Sequence, residues 1–185
     1  MRTRTSRISR YAALLALALC IPGAAPAQAA GCENTDQAPT EATVDETRDA
    51  VLCLLNRERT RRHMAKLREN SRLRRAAQEH TRDMVQREFF EHVSPGGGTM
   101  LDRLKKTGYV DGGGWTIGEN IAWGTGQLAT PASIVRSWMR SPGHRANILR
   151  RRFREVGIGI SVRVPVDTRG ADLGATYTTD FGVRS

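Results

Sequence analysis

Apolar positions between residues 44 and 90 recur at helical spacing, whereas those after residue 154 alternate with polar ones, so the chain reads as helices first and strands last. Thr43-x-x-Glu46 predicts a capping box that opens a helix with Val51, Leu54 and Leu55 on its apolar side, running to about Arg62. A second helix is expected from Asn70 or Ser71 to near Phe90, because Leu73, Ala77, His80 and Met84 fall on one stripe. "HVSPGGGT" is a loop by its proline and glycines. Thr99-x-x-Asp102 then caps a short helix that Gly108 ends in the left-handed conformation. "GENIAWGTG" fits a strand or an ordered loop, and Thr130-Pro131 opens a further helix over "ASIVRSWM". Ser141 is placed to cap one more, through Leu149. "EVGIGISVRV" and "GATYTTDFGV" are β-branched, alternating and separated by a polar turn, as paired antiparallel strands are. Helices preceding strands make the fold class α+β.

The first residues change the picture of where such a fold would work. Arg2, Arg4, Arg7 and Arg10 precede an apolar run from Tyr11 to Ile21, and Ala27-Gln28-Ala29 is a small-x-small cleavage signal. Residues 1–29 therefore read as a signal peptide, 30–47 as an extended N-terminal arm and 48–185 as a single domain. That apolar run is too short to span a bilayer, and no later stretch approaches the required length, so no transmembrane segment is expected in the mature chain. The predicted localisation is secreted and extracellular.

The whole chain has 29 basic and 19 acidic residues, and its net charge of +10 falls to about +6 without the four leader arginines. The basic residues cluster in 56–82 and in "RRRFR" (150–154). Such runs attract anionic polymer or lipid, but they lack the interleaved aromatics of a nucleic-acid interface, so no specific nucleic acid is expected as partner. Of three cysteines, Cys20 leaves with the leader, and Cys32 and Cys53 should pair in an oxidising compartment.

Three polar groups recur beside glycine or proline: His92 in "EHVSP", Glu119 in "GENIA" and His144 in "SPGHR". Asn120, Ser141, Arg145 and Asn147 flank them as supporting residues. Gly143 would let backbone approach closely, and a helix N-terminus at Ser141 would depress the pKa of His144. His80 shares a stripe with Met84 and reads as a core histidine, while His63 should face water. Trp115, Trp123 and Trp138 could line a groove for sugar or acyl chains, although tryptophan is more often part of a core.

"LLNRER", "AAQEHTRDM", "FFEHVSPGG", "DRLKKTGY", "GENIAWG", "SWMRSPGHRANIL", "FREVGIGI" and "YTTDFG", in that order, resemble the bacterial secreted branch of the CAP superfamily, the SCP-like extracellular domains. The resemblance spans residues 48 to 183 and implies a three-layer α-β-α sandwich with a central antiparallel sheet. It also implies a cleft gathering two histidines and two acids, matched here by His92, Glu119 and His144. The family's fourth group, a glutamate soon after the helix tryptophan, is missing, because Trp138 is followed by Met139-Arg140-Ser141-Pro142-Gly143-His144.

Several chemistries stay open for such a cleft. Two imidazoles and a carboxylate are a ligand set that Zn²⁺ or another divalent metal accepts. Glu119 could instead orient a histidine as a general base, making His92, Glu119 and His144 catalytic candidates of a hydrolase acting on peptide or cell-wall material. A hydrogen-bonded network is the third arrangement. The leading expectation is an extracellular binding or interaction module whose ligand is lipid, cell-wall polymer or protein.

Overall fold

A computed structural model describes residues 31–166 and 174–184; the predicted signal peptide lies outside these residues. Within them, five helices and four strands follow in the order α1 (Val44–Thr60), β1 (Arg68–Glu69), α2 (Ser71–Gln86), α3 (Met100–Lys106), β2 (Trp115–Thr125), α4 (Pro131–Arg140), α5 (Pro142–Ile148), β3 (Glu155–Ser161) and β4 (Gly174–Arg184). The class is α+β. The sheet order is β1-β3-β4-β2, antiparallel except for the two-residue β1, which runs parallel to β3.

Helix starts follow local chemistry, with two departures from expectation. Asn70 caps α2 by accepting from the amides of Arg72 and Leu73, and Thr99 and Asp102 form the expected reciprocal box on α3. The Thr43–Glu46 box does not form. The box sits one turn earlier, where the amide of Thr40 donates to the Thr43 hydroxyl, and a 3-10 turn over Glu41–Thr43 leads into α1. Residues 44–47 are therefore helical rather than part of the arm. α2 ends at Gln86, four residues short of the expected Phe90, because the chain turns at Glu88 with φ 53°.

Alternation of side chains across the sheet separates two helix layers. On one face Val156 and Ile158 of β3 and Tyr177 and Phe181 of β4 pack with Leu55 of α1 and Trp138 of α4. On the other face β3 presents Gly157 and Gly159, and α2 lies directly against them. A Cβ at Gly157 would fall 2.0 Å from the backbone of Leu73 and Arg74, and one at Gly159 2.5 Å from the Ala77 carbonyl. The alternating glycines of "VGIGI" thus set the distance between helix and sheet.

Side chains occupy backbone groups along both open stretches of the sheet edge, which blunts them as templates for another strand. On β3 the Gln78 amide pairs with both the N–H and the C=O of Ile160, at 3.1 and 2.9 Å. On β2 the Trp138 indole donates to the Ile121 carbonyl at 3.1 Å, and the Asn147 amide donates to the Glu119 carbonyl at 3.0 Å. The arm is held by the Cys32–Cys53 disulfide and by the Ala132 amide, which donates to the Thr35 carbonyl at 2.9 Å. Closing that 21-residue separation stabilises the fold by about 3 kcal/mol in the chain-entropy model.

Candidate functional site

Adjacent residues of β2 point to opposite faces, and "GEN" uses both. Glu119 faces the α2 and α3 layer, where the His92 Nδ1–H donates to its Oε1 at 2.8 Å and Arg103 Nη2 donates to its Oε2 at 2.6 Å. Asn120 faces the other layer and donates to the His144 carbonyl at 3.1 Å, while Asn147 donates to the Asn120 side-chain oxygen at 2.9 Å. One strand therefore anchors the His92 loop from one side and α5, which carries His144, from the other. Gly118 completes the motif, since a Cβ there would meet Asn147 Oδ1 at 2.8 Å.

Arg103 organises the His92 loop. Its guanidinium reaches the His92 carbonyl and the Gly98 carbonyl at 3.4 Å as well as Glu119. The loop itself closes through Ser94 and Gly98, with Gly97 at φ 84°. At the far end of α5, buried Arg59 donates to the carbonyls of Ile148, Arg150 and Phe153 at 2.7 to 3.1 Å. The cleft histidines are thus mounted on segments that buried arginines hold.

The model of the cysteine-rich secretory protein (CAP) family matches residues 52–164. The chain belongs to the CAP family. It is 36% identical over 135 residues to the uncharacterized protein YkwD of Bacillus subtilis, covering 73% of this chain and 49% of that one. It is also 34% identical over 110 residues to the uncharacterized B. subtilis membrane protein YlbC, covering 60% of this chain and 30% of that one. The chain thus spans half or less of the length of these relatives. Among solved structures it resembles an extracellular SCP-domain protein of Bacillus anthracis (TM-score 0.59, 26% identity, 80% of this chain and 45% of that one). It also resembles an outer surface protein of Borrelia burgdorferi (TM-score 0.64, 17% identity, 80% and 100%), a likeness of fold alone.

The site around Glu119 is electrostatically asymmetric. Burial alone would raise the pKa of Glu119, but the His92 hydrogen bond and the Arg103 charge outweigh it and hold the carboxyl below its usual range. The same hydrogen bond raises His92, whose side chain is 52% exposed. His144 is lowered, as the sequence suggests, by burial and then by the charge of His92. His144 is near enough to sense His92 but makes no side-chain hydrogen bond to it or to Glu119.

Two buried groups border Glu119 from the core side, and the sequence assigned neither to the site. Asp180 lies across from Glu119 in the β2–β4 register and is wholly buried. Burial, and then the Glu119 charge, push its carboxyl well above the usual range. The two carboxyls act on one another through charge and a close hydrogen-bonding approach, although neither Asp180 oxygen reaches full hydrogen-bond geometry. His80 is also wholly buried. Its Nε2 donates to the Glu91 carbonyl at 3.0 Å and sits 4.0 Å from Glu119, and burial lowers its pKa. It is a core histidine, as its stripe predicts, but one that borders the site through Glu119.

The supporting residues divide. Asn120 and Asn147 fix backbone, whereas Arg145 is exposed. Ser141 occupies the N-cap position of α5 without a side-chain capping bond; its carbonyl accepts from the Arg145 amide instead. Gly143 has no heavy atom within 4 Å of a would-be Cβ, so it permits no close approach. Trp138 is core, but Trp115 and Trp123 remain 41% and 38% exposed.

The donor set does not fit a divalent ion as it stands. Both oxygens of Glu119 are taken, and one of them by a guanidinium whose charge opposes a second cation. Among the described residues no group of three or more His, Cys, Asp or Glu side chains is arranged to hold a metal. What the arrangement does offer is a half-exposed imidazole oriented through Nδ1, near a second imidazole whose pKa is lowered.

Proposed function

We propose that this CAP protein is exported and acts outside the cell as a binding module, with His92 and His144 presenting the recognition surface. The carrying observation is that Glu119 is buried with both oxygens committed, so the cleft shows imidazoles rather than a free carboxylate to a ligand. The leader pattern of residues 1–29 and the similar extracellular SCP-domain protein of B. anthracis support export. A ligand with hydrogen-bonding or acidic groups, carried on lipid, wall polymer or protein, matches a surface that mixes a raised and a lowered histidine.

One observation favours a second reading, that of a hydrolase. A carboxylate bound to His92 Nδ1 is the arrangement that orients a general base. The test is to incubate purified protein with a cell-wall fraction and follow retention and release together. Binding without fragments, weakened by His92→Ala and His144→Ala at unchanged melting temperature, is the expected result. Release of peptide or glycan fragments that both substitutions abolish would establish the hydrolase instead.

A further inference from the structure

Away from the histidines, at the end of the sheet, a cavity of about 360 Å³ is lined by Trp115 and Thr116 of β2, Val183 of β4, and Arg152 and Arg154 of the loop between α5 and β3. Its volume is in the range of small-ligand sites. Both arginines are exposed, and among the described residues none of Arg150, Arg151, Arg152 and Arg154 forms an ion pair with an acid. Glu155, the acid next to them in the chain, is already bound by the Tyr109 hydroxyl at 2.8 Å and the Asn70 amide at 2.9 Å. The loop is held in place, because the Arg154 amide donates to the Gly182 carbonyl at 3.1 Å. Trp115, 41% exposed, thus shares the pocket with two guanidiniums that have no acidic partner among the described residues, and the Arg154 group is steadied by donating to the Phe153 carbonyl at 3.0 Å.

We infer that this pocket binds an acidic glycan, with Trp115 against a sugar ring and Arg152 and Arg154 on its carboxylate or phosphate. A guanidinium recognises such groups in bidentate fashion, and an indole face offers a rigid apolar platform. Single-stranded nucleic acid fits less well, since it uses a series of aromatic platforms and this pocket has one. A bilayer fits less well too, because Trp115 lines a concave pocket together with two arginines instead of belonging to an apolar patch. The choice of a glycan rests on the extracellular reading above; the pocket itself does not.

The test measures equilibrium binding of the purified protein to polygalacturonate by isothermal titration calorimetry, a readout that does not depend on Trp115. Dextran supplies the neutral sugar and poly-L-glutamate the carboxylate without sugar, while phosphatidylglycerol vesicles and oligothymidylate stand for the other two classes. Polygalacturonate should bind at least about tenfold tighter than any of these. Trp115→Ala and the pair Arg152→Gln/Arg154→Gln should each weaken it by about tenfold or more, while Trp115→Phe keeps most of the affinity. Unchanged melting temperatures show that the variants fold. No binding, equal binding of polyglutamate, tighter binding of vesicles or oligonucleotide, or indifference to Trp115→Ala would overturn the inference. If the purified protein binds polygalacturonate through these residues but is not exported, the pocket stands and the extracellular reading fails. If the protein is exported but ignores the glycan, the extracellular reading stands and the pocket assignment fails.

Discussion

Arg103→Met isolates the contact on which the cleft is built. The guanidinium lies 2.6 Å from Glu119, and both side chains are less than a tenth exposed, so solvent screens the pair little. Removing one partner of a buried pair leaves the other charge uncompensated, at a cost of about 3–5 kcal/mol. For a domain of this size that corresponds to a fall of roughly 6–20 °C in melting temperature. Glu119→Gln removes the stranded charge, so the double variant should recover most of the loss instead of adding to it. Urea unfolding at pH 7 of the wild type, both single variants and the double variant measures the coupling. Arg103 also lowers the pKa of His92, so its removal should move the His92 titration upward, which NMR can follow in the same samples. A loss below about 1 kcal/mol, additive double-variant effects and an unmoved His92 would together show that Arg103 does not hold Glu119 ionised.

Two other substitutions test the frame and the buried acid. Gly159→Ala should destabilise by about 1–3 kcal/mol or more, since its methyl would lie 2.5 Å from the Ala77 carbonyl, whereas Gly143→Ala, in open space, should stay within about 0.5 kcal/mol; parallel melts compare them. Asp180→Asn should raise stability at neutral pH, with the gain shrinking as pH falls toward 4. The folded-state pKa of Asp180 is raised, so the wild type loses stability as pH rises above the unfolded value of about 3.9, a loss that asparagine lacks. Chemical denaturation at several pH values reads the difference, and a gain that is constant with pH would refute a titrating Asp180.

The elements legible in the sequence were those whose signals are local. The Thr99 and Asp102 box and the proline after Thr130 lie within one turn of the helices they start, and the alternation of β3 and β4 is a property of each strand by itself. The two-residue β1 has no pattern to read; it exists because the amides of Arg68 and Asn70 donate to the carbonyls of Arg154 and Val156 at 2.9 Å. The shift of the α1 box to Thr40 and Thr43 was hidden for a related reason. Thr40, Thr43 and Glu46 follow one another at three-residue spacing, so the local pattern permits a box in either register and does not choose between them.

The same distinction explains which parts of the cleft could be found. His92, Glu119 and His144 stand in glycine-bordered motifs, and the family resemblance brought them together. Arg103 and Asp180 carry no such mark. Arg103 reads as one of several basic residues at the end of a short helix, and only the direction of α3 turns it inward. Asp180 enters the site because β2 and β4 pair in the register that sets Glu119 against it, 61 positions away in the chain, and a slip of one residue would place it on the opposite face. A register of that kind is fixed by packing on both faces together, by glycines against α2 on one and by Tyr177 and Phe181 on the other. The acid absent after Trp138 is therefore not the whole of the cleft's acidic complement. This CAP domain keeps a second carboxyl beside Glu119, supplied by the sheet, whose pKa burial raises while the His92 hydrogen bond and the Arg103 charge lower that of Glu119.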